Sequence, residues 1–249
     1  MNRYRVTLAY DGTDFHGSQF QPELRTVQGE VGRAVAKLGG GQKSIKFAGR
    51  TDAGVHASGQ EIAFDLNWGH PVQDLQKALN ANFPRDMAAL KVERAGMDFH
   101  PRFDAQLRRY VYTLRVSPLR DPLQSRYCWR IGPPLERGRM EEASQKLVGT
   151  HDFAAFGSPH QAGGSTVRHL EEVSWKADGE QVELTILGNA FLYHMVRHIV
   201  ILLVQIGQGR ENVNQVEKYL KAPEGPPAQG LAPARGLKLA EVIYQLPAP

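Results

Sequence analysis

The chain has 249 residues, of which 41% are hydrophobic, and it carries a formal net charge of +4. This length and composition predict one or two globular domains with apolar cores and exclude a disordered or fibrous protein, while the small basic excess favours a polyanionic partner without requiring one. The single cysteine, Cys128, excludes a disulfide framework, and no charged-then-apolar leader opens the chain, so we expect a cytoplasmic location.

Periodicity predicts the order β-α-β-β-α-β for roughly the first hundred residues. Thr26 can cap the first helix at its start, and Gly39-Gly40-Gly41 can end it. Pro71 opens the second helix. The predicted strands cover 3–10, 44–48, 60–66 and 87–94, and the predicted apolar stripes of the helices run from Val27 to Leu38 and from Val72 to Leu79.

The second half predicts a similar order of elements. A strand at 107–116 and a helix at 135–148 are followed by a hairpin (167–175 and 181–187) around Asp178-Gly179, helices at 191–206 and 213–220, and a last strand at 237–244. The run from Phe191 to Ile206 is too short and too polar to span a membrane, so we expect a buried helix.

We therefore predict an α+β fold with two β-α-β-β-α-β units of the RNA-recognition or ferredoxin-like type. The units are expected to form a largely antiparallel sheet with a central cleft. We place the N-terminal domain at 1–104 and the C-terminal domain at 105–249.

The stretch "FAGRTDAGVHASGQ", Phe47 to Gln60, is unusually rich in glycine. Asp52 lies between Arg50 and Gly54, and a turn without special function explains these residue types well. Glycines also leave room for a bulky ligand to approach the backbone, and an ionised carboxylate can act as nucleophile or base. The sequence alone does not decide between the two interpretations.

Arg197 lies within the apolar stretch "FLYHMVRHIVILLVQI". A buried guanidinium needs an anionic partner, whereas an arginine at the edge of an apolar surface can keep its charged head in water. Both interpretations stay open, and Asp52 is one of many candidate partners.

A few further patterns in the sequence relate to cofactors, metals and nucleic acid. His194 and His198 have i, i+4 spacing, but no zincin motif accompanies them, and the chain contains neither a G-x-S-x-G elbow nor a phosphate-binding glycine loop, so we expect no metal and no cofactor. Tyr110 shares a strand face with Tyr112, and tyrosines there either stack on a base or fill the core. Arg108 and Arg109 are candidates for substrate binding.

Five stretches, in the family's order, resemble the TruA family of tRNA pseudouridine synthases: "YDGTDFHGSQFQ", "GRTDAGVHA", "RRYVY", "FLYHMVRHIV" and "PARGLKLAEVIY". The resemblance implies an enzyme that converts uridine to pseudouridine in the anticodon stem-loop of tRNA, at tRNA positions 38 to 40. It implies Asp52 as the nucleophile, Arg50 following or replacing the flipped base, Tyr110 packing against the target base, and Arg197 pairing with Asp52.

The resemblance also implies a homodimer that binds one tRNA across both subunits, with no cofactor, metal or membrane association. A basic cleft around Arg102 to Arg130 would suit phosphate contacts. Ile201 departs from the family pattern, which usually has glycine there. The alternatives are a non-catalytic module that binds structured RNA and a carboxylate-dependent hydrolase of nucleosides.

Overall fold

The computed structural model describes residues 1–40 and 45–245, and the chain divides into two compact units. Unit 1 is Met1–Gln106 with the segment that begins at Lys238, and unit 2 is Leu107–Leu237. The last strand, which we expected in the second domain, lies in unit 1 because its first residues pair in parallel with the start of a unit 1 strand.

The helices and strands follow one another as two α+β sets. The first set is β1 (Asn2–Tyr10), α1 (Val27–Lys37), β2 (Lys46–Phe47), β3 (His56–Leu66), α2 (Val72–Asn82) and β4 (Met87–Ala95). The second is β5 (Leu107–Val116), β6 (Trp129–Ile131), α3 (Arg137–Gln145), β7 (Gly149–Asp152), β8 (Val167–Asp178), β9 (Gln181–Gly188), α4 (Met195–Gly207) and α5 (Gln215–Lys221), before β10 (Leu237–Ile243).

The sheet of unit 1 is antiparallel apart from its last strand. β1 pairs with β4 on one edge and with β3 on the other, in registers that place Val6 beside both Val92 and Ile62. The second edge of β3 pairs with β2 at one end and, in parallel, with β10 at the other. The order β4-β1-β3-β2 places the loop between β2 and β3 at one end of this sheet.

Local sequence signals account for the helices of unit 1. The Thr26 hydroxyl accepts from the N–H of Gly29 at the start of α1, and Pro71 precedes α2, as predicted. Buried residues of β1, β3 and both helices form the apolar core of the unit. The members with essentially no exposed surface include Tyr4, Val6, Leu8, Val31, Val35, Ile62, Leu75 and Leu79.

Strand β3 begins at His56, four residues before the predicted start at Gln60. The prediction missed this part because "HASG" lacks an apolar alternation, whereas the structure pairs it with β1 and β10. The predicted strand at 44–48 is observed as Lys46–Phe47, and its first residue, Ser44, lies outside the described residues.

Unit 2 contains the strand order β5-β9-β8-β7, all antiparallel, and β6 lies parallel to β5. The predicted hairpin of β8 and β9 is confirmed, with Gly179 at φ +58° in its turn. Two short strands, β6 and β7, were not predicted, since three or four residues give too little periodicity. Helix α4 begins at Met195 rather than Phe191 because His194 has a left-handed backbone, φ 64°.

Within residues 1–40 and 45–245, no helix has both the length and the apolar character required to cross a lipid bilayer.

Candidate active site

Asp52 is half-buried in the loop that joins β2 to β3. The residue before it is anchored: the N–H of Thr51 donates to the hydroxyl of Ser18 at 2.8 Å, and the Thr51 carbonyl accepts from the N–H of Ser18 at 3.0 Å. On the other side, the N–H of Val55 donates to the Asp52 carbonyl at 3.1 Å. Since both Thr51 and Ser18 are buried, breaking these bonds would leave polar groups unpaired, and the turn carrying Asp52 is fixed in place.

The stretch "YDGTDFHGSQFQ" provides the surface on which this loop rests. A Cβ atom at Gly12 would lie 2.0 Å from the carbonyl oxygen of Val55, and one at Gly17, where φ is +87°, would lie 2.9 Å from that of Thr51. The N–H of Gly12 also donates to Nδ1 of His56 at 3.0 Å. Glycine is required at both positions because the two backbones approach too closely for any side chain.

Gln60 holds the start of the loop. It is fully buried on β3, and its side-chain amide accepts from the N–H of Gly49 at 3.3 Å and donates to the Gly49 carbonyl at 2.9 Å. Its Nε2 also lies 3.5 Å from the hydroxyl of Tyr10, which is 2.8 Å from that of Thr51. Burial raises the pKa of Tyr10, so the phenol keeps its proton for these bonds.

Arg50 is exposed, in contrast to the buried residues on either side of the Asp52 turn. With Gly49 it is among the residues that line an open pocket on unit 1. The loop therefore combines a fixed backbone with an arginine side chain that extends into solvent.

In unit 2, Tyr110 lies on β5 and is 8% exposed. Phe191 packs against its ring edge to face, with 4.9 Å between the ring centroids. Its neighbour Arg108 is buried and donates to the backbone carbonyl of Asn189 at 2.6 Å, while Arg109 is half-buried with a nitrogen 3.4 Å from the Glu172 carboxylate. The strand thus orients these side chains by contacts within unit 2.

Arg197 is half-buried on the first turn of α4, and its Nε donates to the backbone carbonyl of Ala232 at 2.7 Å. This carbonyl is an acceptor that neither interpretation of the sequence considered. Nearby, Tyr112 is a core residue whose hydroxyl donates to the carbonyl of Pro233 at 2.8 Å. Burial raises the pKa of Tyr112, and the positive charges of Arg197 and Arg235 oppose the rise.

Helix α4 also contains His198 and Ile201. Burial lowers the pKa of His198, and the nearby His194 and Arg197 lower it further. Ile201, where the family pattern has glycine, lies beside Gly230, whose Cβ position would be 3.2 Å from Ile201 Cγ1. Among the described residues, no group of three or more His, Cys, Asp or Glu side chains is arranged to hold a metal ion.

Sequence reasoning missed the residues that support the Asp52 loop. Ser18, Gln60 and Tyr10 were not singled out, although Gln60 and Glu61 are adjacent polar residues of β3 and both are buried. Adjacent polar residues in such a strand are a signal for a side chain that bonds to a neighbouring backbone. Phe191 gave no comparable signal, because an aromatic residue before an apolar helix is ordinary.

Comparison with known proteins shows the family to which the chain belongs. A family model described as tRNA pseudouridine synthase matches residues 7–104 and 143–245. The chain belongs to this family. Curated relatives named tRNA pseudouridine synthase A include those of Limosilactobacillus fermentum, 41% identical over all of this chain and 98% of the relative, and Brevibacillus brevis, 41% identical over 98% of this chain and all of the relative. That of Geobacter sp. is 37% identical over 98% of this chain and 99% of the relative.

Proposed function

We propose that this chain acts on the anticodon stem-loop of tRNA and that Asp52 is its catalytic carboxylate. Isomerisation of uridine to pseudouridine in tRNA is the activity of the family to which the chain belongs. The observation that carries the role of Asp52 is the construction of its loop, in which Gln60 and Ser18 hold the backbone just before it, at Gly49 and Thr51, while the carboxylate is only half-buried.

The reaction breaks the bond between N1 of uracil and C1′ of ribose, turns the base, and joins C5 to C1′. The hydrogen on C5 is released as a proton, and N1 gains one, so the product is an isomer of the substrate. The base must first leave the stack, which costs a few kcal/mol. Asp52 either attacks C1′ or removes the proton at C2′, and both routes require an ionised carboxylate held against the sugar.

The remaining site residues have proposed roles that come from the family resemblance. Arg50, exposed on the Asp52 loop, would fill the gap that the flipped base leaves. Tyr110, with Phe191 against its face or edge, would form a wall for the base. The pairing of Arg197 with Asp52 stays a prediction, as do the substrate contacts of Arg108 and Arg109.

The finer points of architecture and assembly are also proposals. The strand order β4-β1-β3-β2 in unit 1 supports an RNA-recognition or ferredoxin-like unit. A homodimer and the basic cleft rest on the family resemblance and the distribution of arginines, and a cytoplasmic location follows from a tRNA substrate.

Release of tritium from C5-labelled uridine in tRNA tests the role of Asp52. Asp52→Asn should bind tRNA with wild-type affinity but lower the rate of release by about 100-fold or more, because the group that acts on the sugar is lost. Asp74→Asn is the matched control: this carboxylate lies on the surface of α2, paired with Lys77, and its loss should leave the rate unchanged.

Two outcomes would overturn the proposal. Wild-type protein that binds tRNA without releasing tritium would favour the non-catalytic RNA-binding module. Release of free uracil, with no pseudouridine retained in the RNA, would favour the nucleoside hydrolase.

A further inference from the structure

Unit 1 contains an open pocket of about 310 Å³ directly beside the Asp52 loop. Its lining includes Gly49 and Arg50 of that loop, both residues of β2, and His100 and Phe103 of the segment after β4. This volume lies at the lower end of the range of small-ligand pockets, about 300–1,000 Å³, and suits a single nucleotide rather than a duplex.

The charge of the pocket favours an anion. Lys46, Arg50 and Arg102 all line it, and no aspartate or glutamate is found among its described lining residues. Three cations converge on a concave surface, where low-dielectric walls strengthen their combined field. A phosphate is an anion that arginine and lysine bind well.

The pocket also presents an aromatic surface. Phe103 is 77% exposed, and its ring lies against that of His100 with 4.3 Å between centroids and a tilt of 34°. The N–H of Arg102 donates to Nδ1 of His100 at 3.2 Å, and burial lowers the pKa of His100, so the ring is neutral at physiological pH. A large apolar ring held in solvent beside cations is typical of surfaces on which single-stranded bases stack.

We propose that this pocket binds a nucleotide adjacent in sequence to the target uridine. Its base stacks on Phe103, and its phosphate is held by Lys46 and Arg102. The inference rests on the proposed function of the neighbouring Asp52 loop, and it assigns to unit 1 a specificity site separate from the group that performs the chemistry. Flipping one uridine unstacks its neighbour, and this platform would replace the lost stacking.

Fluorescence of 2-aminopurine tests the stacking directly. Two anticodon stem-loop RNAs carry the probe immediately 5′ or immediately 3′ of the target uridine, and each binds Asp52→Asn protein, in which turnover is expected to be about 100-fold slower or more. We expect the probe in one of the two RNAs to be quenched in the complex, and Phe103→Ala in the same background to restore its fluorescence. Unchanged quenching with Phe103→Ala in both RNAs would overturn the proposal.

Kinetics provide a second readout on the otherwise unmodified enzyme. Phe103→Ala should raise KM for tRNA about tenfold while kcat stays within twofold, because the loss of one stacked base weakens binding. Phe103→Trp should restore KM, and Leu90→Ala, which shortens an exposed apolar side chain on β4, should match wild type. A KM for Phe103→Ala equal to that of Leu90→Ala would overturn the proposal.

The phosphate contact has its own test. Lys46→Ala should reduce the slope of log affinity against log salt by about one, whereas Lys77→Ala, an exposed lysine of α2, should leave the slope unchanged. Equal slopes for the two variants would overturn the phosphate contact. Failure of the proposed function would give a different result. Wild type would then release no tritium, although the probe and salt experiments, which measure binding alone, could still give their expected results.

Discussion

Gln60 connects three parts of unit 1 through one side-chain amide. It bonds to both the N–H and the carbonyl of Gly49 and approaches the hydroxyl of Tyr10. A buried amide is favourable only when its donors and acceptors are paired, so Gln60 stabilises one backbone position of the loop and disfavours others. This single residue thereby fixes the backbone of Gly49, which directly precedes the stretch containing Arg50 and Asp52.

Gln60→Ala should lower kcat for tritium release by about tenfold or more, because a displaced loop no longer holds Asp52 at the sugar. It should also lower the free energy of unfolding by about 1–3 kcal/mol, since the part-buried N–H and carbonyl of Gly49 lose this partner. Urea unfolding and steady-state kinetics measure the two effects.

Gln76→Ala is the control for loss of a glutamine that bonds to backbone carbonyls. Gln76 on α2 donates to Ala89 and Leu90, remote in sequence from the Asp52 loop. This variant should lose some stability and keep its kcat. A kcat for Gln60→Ala that equals the value for Gln76→Ala would show that the bonds from Gln60 to Gly49 have no part in catalysis.

At the scale of elements, β10 depends on a close approach to β3. A Cβ atom at Gly59 would lie 2.2 Å from the carbonyl oxygen of Ala240 and 3.0 Å from Cα of Glu241. Both contacts are with backbone, which cannot rotate away as a side chain can. Because Gly59 has no side chain, the backbone of β10 can pack directly against this position of β3.

Gly59→Ala should lower the free energy of unfolding by about 1–3 kcal/mol, the usual cost of overpacking, and should increase hydrogen exchange at the amides of β10. Gly69→Ala provides the comparison, because no described atom lies within 4 Å of the Cβ that it would add. If calorimetry and exchange give the same values for the two variants, β10 does not require the contact at Gly59.

At the scale of the whole molecule, ion pairs in both units affect stability in acid. A hydrogen bond from Arg3 lowers the pKa of Asp65 in unit 1, and hydrogen bonds from Lys146 and Lys221 lower the pKa of Glu217 in unit 2 to about 2. Each carboxylate binds its proton less readily in the folded than in the unfolded chain. Their contribution to stability is therefore complete above about pH 4.5 and is lost as the pH falls toward 2.

The double variant Asp65→Asn, Glu217→Gln should lose less stability than wild type when the pH is lowered from 6 to 2.5. Urea unfolding at each pH measures the difference. In 0.5 M NaCl the difference should shrink, because both groups are near the surface and salt screens them. Equal losses for the two proteins at low salt would contradict the lowered pKa values.

How well each helix or strand was predicted depends on how far apart in the sequence its contacting residues lie. α1 was predicted closely because its stripe and the Thr26 cap depend on neighbours in the chain. The start of α4 was misplaced because the left-handed residue His194 precedes it, and nothing in an apolar sequence marks such a residue. Strand β10 was predicted as an element, but its place in unit 1 depends on pairing with a strand far away in the sequence.

The sequence by itself determined the α+β character, most of the helices and strands, and the family, because periodicity, turn residues and ordered motifs are local properties. It also drew attention to Asp52, through an unusual density of glycines. Only the tertiary structure decided that Ser18 and Gln60 hold the Asp52 loop, that Arg197 donates to Ala232, and that Phe103 and Lys46 line the same pocket. Each of these contacts joins residues distant along the chain, and no local pattern specifies which distant groups the folded backbone brings together.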